Sequence, residues 1–281
     1  MRQVTRSGLA ELFMISNKVK SSSQKVGVVL TLVLGIIGLS LLVWPNKEPL
    51  STELISEIQP VTVLPDFGSN PSVQSRKLSF FNYLEDYVVA ANAELEAERK
   101  SITRIMSLVS RDGEVSDGDK LMIGGAYDRY GVITNNLLSQ SSFDQLLLKV
   151  DQVPVSLALA QAANESAWGT SRFAITGKNL FGQWCYREGC GMVPNKREGG
   201  ARHEVRSFNT IAESVEAYLF NLNTNTFYEG FRLVRGEMRA TGKELDSFEL
   251  AFHLNRYSER GESYIDEIQT LIEQNLLTHR D

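Results

Sequence analysis

The sequence predicts a mainly α (α+β) fold, a helical domain with a small β-hairpin lobe, preceded by one transmembrane helix. Three observations predict it. From residue 76 onward, apolar side chains recur at helical spacing. One Gly-, Cys- and aromatic-rich stretch, 177–193, breaks that rhythm ahead of a Gly-Gly turn. Near the N-terminus, Val26 to Trp44 runs without a charge. Charged residues are 22% and apolar residues 42% of the 281, ordinary proportions that exclude wholesale disorder. A net charge of −5 gives no electrostatic ground for a nucleic-acid partner.

In chain order, residues 1–25 carry Arg2, Arg6, Lys18, Lys20 and Lys25 against Glu11 alone. Residues 26–44, at ~1.5 Å each, span about 29 Å, close to the hydrocarbon thickness of a bilayer. A cleaved signal has a shorter apolar core and a small-residue cleavage site, whereas this exit reads Trp44-Pro-Asn-Lys. The expectation is an uncleaved, single-pass anchor in the inner membrane. Its basic flank 1–25 is then cytoplasmic, and residues 45–281 face the periplasm of a Gram-negative cell. Five prolines (45, 49, 60, 65 and 71) among polar residues predict an extended tether over 45–75.

The helical domain is expected over 76–281. Phe80, Phe81, Leu84, Tyr87, Val88, Ala91 and Leu95 line one face of a helix over 76–110. Residues 111–119 form a turn-rich loop that matches a calcium loop only loosely, because its Gly and terminal Glu are misplaced. Helices follow at 119–130, 143–150 and 154–168, the last with Pro154 in its first turn. Residues 196–201 read as a tight hairpin turn into a strand over 202–208. Thr210 and Glu213 form a capping box for the next helix, and further helices are expected at 227–241, 247–254 and 264–277.

The apolar helix Leu157-Ala-Leu-Ala-Gln-Ala-Ala-Asn-Glu-Ser-Ala-Trp-Gly169 holds one carboxylate, Glu165, in its last turn. Poor hydration and the negative end of the helix both raise such a carboxyl's pKa, as a general acid requires. A surface Glu ending an Ala-rich helix is the alternative. Among three histidines, His203-Glu204 lacks a second His at 207, so the helical zinc-protease signature is missing and no metal or cofactor is expected. Cys185 and Cys190 suit a disulfide-closed hairpin in an oxidising compartment, and two unpaired thiols otherwise.

The run Gln-Ala-Ala-Asn-Glu-Ser-Ala-Trp-Gly-Thr-Ser-Arg-Phe-Ala, then Asn179-Leu-Phe-Gly182, resembles the bacterial glucosaminidase domain of peptidoglycan hydrolases and autolysins. Residues 182–194, 203–208 and 218–224 resemble the Bax branch of that family, bacterial proteins unrelated to the apoptosis regulator of that name. The resemblance covers about 76–280. It implies a lysozyme-like fold, a groove for peptidoglycan glycan strands, and cleavage of the β-1,4 bond after N-acetylglucosamine. By the same resemblance Glu165 is the catalytic acid, and Asn179, Phe181 and Gly182 contact sugar. Trp168, Phe181 and Trp184 offer flat apolar faces for pyranose rings, and Asn179 can bond an acetamido group. Tyr218 and Tyr257 could donate to that acetyl group, or pack between helices.

A second acid is expected on the β lobe, where Glu188, Glu198 and Glu204 are the candidates and Glu198 is favoured. The hairpin is shorter than in many relatives. Three further readings stay open: the substrate's own acetamido as nucleophile, a lytic transglycosylase, and a non-catalytic glycan-binding scaffold.

Overall fold

The computed structural model describes residues 63–195, 200 and 202–281. The expected cytoplasmic segment and anchor, the tether up to residue 62, and Glu198 lie outside the described residues. Among those described, no helix is long and apolar enough to cross a membrane.

Helix α1, Val73–Val109, starts three residues earlier than expected because Ser72 and Ser75 cap each other reciprocally. The described part of the expected tether is not extended. Leu64 and Phe67 are buried, and Phe67 meets the Phe80 ring edge-on at 5.3 Å. The proline and serine content of this stretch obscured two apolar residues that cover the start of α1.

At 37 residues, α1 serves two cores. Its first half, with Phe80, Phe81, Leu84 and Val88, belongs to the main core; Ile102 and Ile105 belong to a smaller one. The smaller core is completed by α2 (Asp117–Tyr130) and α3 (Gln140–Lys149), through Ile123, Tyr127, Tyr130, Phe143 and Leu146. Ser116 and Ser139 cap these two helices, and Gly131 ends α2 in the left-handed region that glycine tolerates.

Helix α4, Val155–Ser166, is the centre of the main core. Residues 155–163 are all buried, so the helix has no polar face, as expected for one surrounded on every side. Its alanines let α1 and α9 (Glu262–Gln274) approach closely. Pro154 occupies the N-cap and supplies no side-chain bond. Asp281 supplies it instead, accepting from the Ser156 backbone N–H at 2.8 Å and from its hydroxyl at 2.6 Å.

After α5 (Arg172–Gly177) comes a three-stranded antiparallel sheet, order β1-β3-β2, of Trp184–Cys185, Gly191–Met192 and Glu204–Arg206. Trp184 pairs with Val205 and Gly191 with Arg206. The lobe thus contains two strands inside the stretch expected to be irregular, and β3 is shorter than the expected 202–208. Gly191 is required here, since a Cβ would lie 2.0 Å from the Val205 carbonyl oxygen. Cys185 and Cys190 are bonded to one another. Helices α6 (Ile211–Thr224), α7 (Glu229–Ala240) and α8 (Ser247–Ala251) complete the body, with α6 capped by Thr210.

Candidate active site

Glu165 sits in the last turn of α4, where the chain reverses through three left-handed residues, Ala167, Trp168 and Gly169. Ser166 holds that reversal. Its hydroxyl donates to the Ala162 carbonyl at 2.6 Å and accepts from Gly169 N–H at 2.8 Å. The Glu-Ser-x-Trp-Gly pattern therefore spends its Ser and Gly on ending the helix beneath the carboxylate.

The Asn-Leu-Phe-Gly segment is brought against Glu165 by a second set of bonds. Asn179, 1% exposed, donates to the Gln183 and Arg206 carbonyls and accepts from the Phe181 and Gln183 N–H groups. This ties the segment to β3 and puts Gly182 beside the acid. A Cβ on Gly182 would lie 2.9 Å from Glu165 Oε2, and its φ of +62° is also costly for any other residue.

Burial pushes the Glu165 carboxyl pKa up. A hydrogen bond from Tyr264 and the positive charge of Arg260 oppose that rise, and the Glu267 carboxylate adds to it. Arg260 and Glu267 form an ion pair, and the Asn164 amide, assigned with its nitrogen toward Glu267, bridges them at 3.2 Å to Glu267 and 3.1 Å to Arg260. Behind the acid stands a cluster of phenols. Tyr257 stacks on Tyr264 with centroids 5.7 Å apart, and Tyr218 and Tyr228 meet Tyr257 at 6.4 and 6.0 Å.

The expected sugar contacts divide. Gly182 adjoins Glu165, and Trp184 is 51% exposed on the β lobe with one face stacked on His203 at 4.2 Å. The other five make contacts within the protein, Trp168 and Tyr257 being half-buried. The hydrogen bonds of Asn179 are internal, so it is not placed to bond an acetamido group. Phe181 and Tyr218 are buried and stacked face to face at 4.0 Å. Tyr257 donates to the Phe181 carbonyl at 2.7 Å. Trp168 meets the Phe80 and Phe81 rings edge-on, with the Lys77 ammonium over its face. Aromatic residues beside an acid look alike in sequence whether they touch ligand or brace the acid, and burial separates the two.

The β-lobe glutamates divide as well. Glu204 is buried and accepts from Gly189 and Gly191 N–H at 3.1 and 2.8 Å, which braces the disulfide loop. Glu188 is exposed within that loop. The described carboxylate that acts on Glu165 is Glu267, on a helix where no second acid was sought. Tyr264, Arg260 and Glu267 were missed. Tyr264 and Glu267, three positions apart on α9, share one helical face, and Arg260 lies just ahead of that helix.

A family model described as mannosyl-glycoprotein endo-beta-N-acetylglucosaminidase matches residues 141–277, from α3 through α9. Protein bax of Escherichia coli K12 is 32% identical over 214 residues, covering 75% of this chain and 74% of that protein. The chain belongs to the glucosaminidase family, as a Bax-type member. No solved structure matches it. The glucosaminidase match contains Glu165, the Asn-Leu-Phe-Gly segment, the β lobe and the Arg260–Glu267 face, and leaves α1 and α2 outside. Family membership supports glycoside hydrolase activity in general.

Proposed function

We propose that the chain is a peptidoglycan hydrolase, anchored in the inner membrane by residues 26–44, that cuts the β-1,4 bond after N-acetylglucosamine. The observation that carries this reading is the Glu165 carboxyl, its pKa raised by burial, at the end of a buried helix and against the backbone of Gly182. A carboxyl whose protonated form is favoured by burial can give its proton to the leaving glycosidic oxygen. Trp184 supplies an exposed aromatic face on the opposite lobe for a sugar ring. Glu198 on the β lobe is the favoured second acid, and the alternative nucleophile is the acetamido group at C2 of the cleaved sugar. It attacks C1 as the bond to the leaving oxygen breaks, and water then opens the resulting oxazolinium.

The test uses membranes carrying the full chain, washed in high salt and incubated with purified sacculi. Mass spectrometry should find fragments with reducing N-acetylglucosamine ends, lost in membranes carrying Glu165→Gln. Anhydro-muramic ends would instead identify a lytic transglycosylase, and sacculus binding without release a scaffold. Activity that survives Glu165→Gln would remove the acid role, and activity that washes off with salt would remove the anchor.

A further inference from the structure

The exposed ring of Trp184 is backed on one side by an imidazole. Trp184 pairs with Val205 across β1 and β3, and His203 lies two residues before Val205 in the chain. Residues opposite one another in an antiparallel pair share a face of the sheet. So does the residue two positions along, at a diagonal distance that aromatic side chains can bridge. The register thus brings His203 to Trp184, and the two rings lie parallel, 7° apart in plane with centroids at 4.2 Å. Cys185 and Glu204 pair next to them and fall on the other face, with the disulfide to Cys190.

One face of the indole is therefore covered, while the residue as a whole is 51% exposed. The disulfide fixes β1 immediately after Trp184. Two residues before it comes Gly182, beside Glu165 Oε2, so at most about 7 Å of backbone separates the ring's own residue from the glycine that adjoins the acid.

An exposed tryptophan that changes rotamer must be ordered by its ligand, and that ordering weakens binding. We propose that His203 is a positioning residue: stacked on Trp184, it holds the indole in place beforehand, so that the open face takes one N-acetylhexosamine ring of the glycan next to the bond that Glu165 protonates. This rests on the reading of Glu165 as the acid of a glycan hydrolase. A β-1,4-linked N-acetylglucosamine ring holds its substituents equatorially. Each of its faces is lined with C–H groups, which suit the electron-rich face of an indole. The imidazole itself touches no sugar, because the indole lies between.

The experiment measures binding of the N-acetylglucosamine tetramer by calorimetry, in the full chain carrying Glu165→Gln so that no turnover intervenes. His203→Ala should weaken binding about two- to tenfold, the effect of having to order one side chain. His203→Phe keeps a flat ring against the indole and should restore it. Trp184→Ala should weaken binding at least as much as His203→Ala. Adding His203→Ala to Trp184→Ala should change nothing further, because a positioning residue acts only through the ring it positions. A general loosening of the lobe would not give that result. With Glu165 intact, His203→Ala should raise KM for glycan and leave kcat nearly unchanged.

Binding unmoved by His203→Ala or by Trp184→Ala would overturn the proposal. So would a His203→Ala effect that is as large without Trp184 as with it, or a Glu165→Gln chain that binds no tetramer. The expected binding pattern in a protein that, with Glu165 intact, releases no sugar would uphold the platform and reject the hydrolase reading. Should a variant fail to fold, the Glu165→Gln chain decides by NMR with bound tetramer. Nuclear Overhauser contacts from sugar ring protons to the Trp184 indole and none to the His203 ring support the arrangement. Contacts to the His203 ring, or none to the indole, overturn it.

Discussion

Gly182 shows how closely the acid is confined. Its backbone fills the space beside Glu165 Oε2, and its left-handed φ suits glycine. Gly182→Ala should therefore act twice. The left-handed backbone costs about 1–2 kcal/mol with a Cβ, and the methyl group must displace the carboxyl. A displacement approaching 1 Å at a reacting group costs about 100-fold in rate. We expect kcat for muropeptide release to drop by about that factor while the melting temperature falls by only a few degrees, at about 2–4 °C per kcal/mol. Steady-state assays and a thermal melt on the same preparation check both halves. The place of Glu165, in the last turn of a buried helix and beside Gly182, was legible in the sequence because Glu-Ser-x-Trp-Gly is an ordered pattern. The roles of Asn179, Phe181 and Tyr218 were not, because sequence separates polar from aromatic but not a bond to sugar from a bond to backbone.

At the scale of elements, the start of α4 is fixed by a buried charge cluster. Asp151, 1% exposed in the link between α3 and α4, is ringed by Arg239 at 2.8 Å, Arg99 at 3.5 Å and Arg235 at 3.9 Å. Arg235 is fully buried and also donates to the Leu148, Asp151 and Gln152 carbonyls, so α7 is clamped to the link. Burial pushes the Arg235 guanidinium down to about 10, and the Asp151 charge opposes that fall. Asp151→Ala would leave that guanidinium buried beside two other arginines. Removing one partner of a buried pair costs about 3–5 kcal/mol, and the urea midpoint should fall accordingly. A midpoint unchanged from wild type would show that the arginine bonds to backbone suffice. The helices were legible because apolar spacing and the caps at Thr210 and Pro154 mark them. The cluster was not: Arg99, Asp151, Arg235 and Arg239 come from three distant segments, and nothing local marks any of them as buried. The β lobe was read too simply for a related reason, since strands of two or three residues carry no periodicity to detect.

For the whole molecule, the candidate site lies where a deeply buried helix ends. Helix α4 is buried along nearly its whole length, packed by α1 and α9 and capped by Asp281. That burial brings a carboxyl into a place where ionising it is unfavourable. Burial raises the Glu165 pKa above its unfolded value despite help from Tyr264 and Arg260. Between the unfolded value, about 4.3, and the folded one, the native state holds a proton that the unfolded chain has released. The stability this contributes is complete below the unfolded pKa and is lost as pH rises through the folded pKa. Gln is close in shape to the protonated carboxyl and does not ionise. Glu165→Gln should thus melt higher than the unaltered chain at pH 8, with the gap narrowing on acidification and closing below about pH 4. Thermal melts of the two chains across pH 4–8 measure it directly. A Glu165→Gln chain less stable than the unaltered one at every pH would mean that the ionised carboxylate, through Arg260 and Tyr264, holds the fold together instead of straining it.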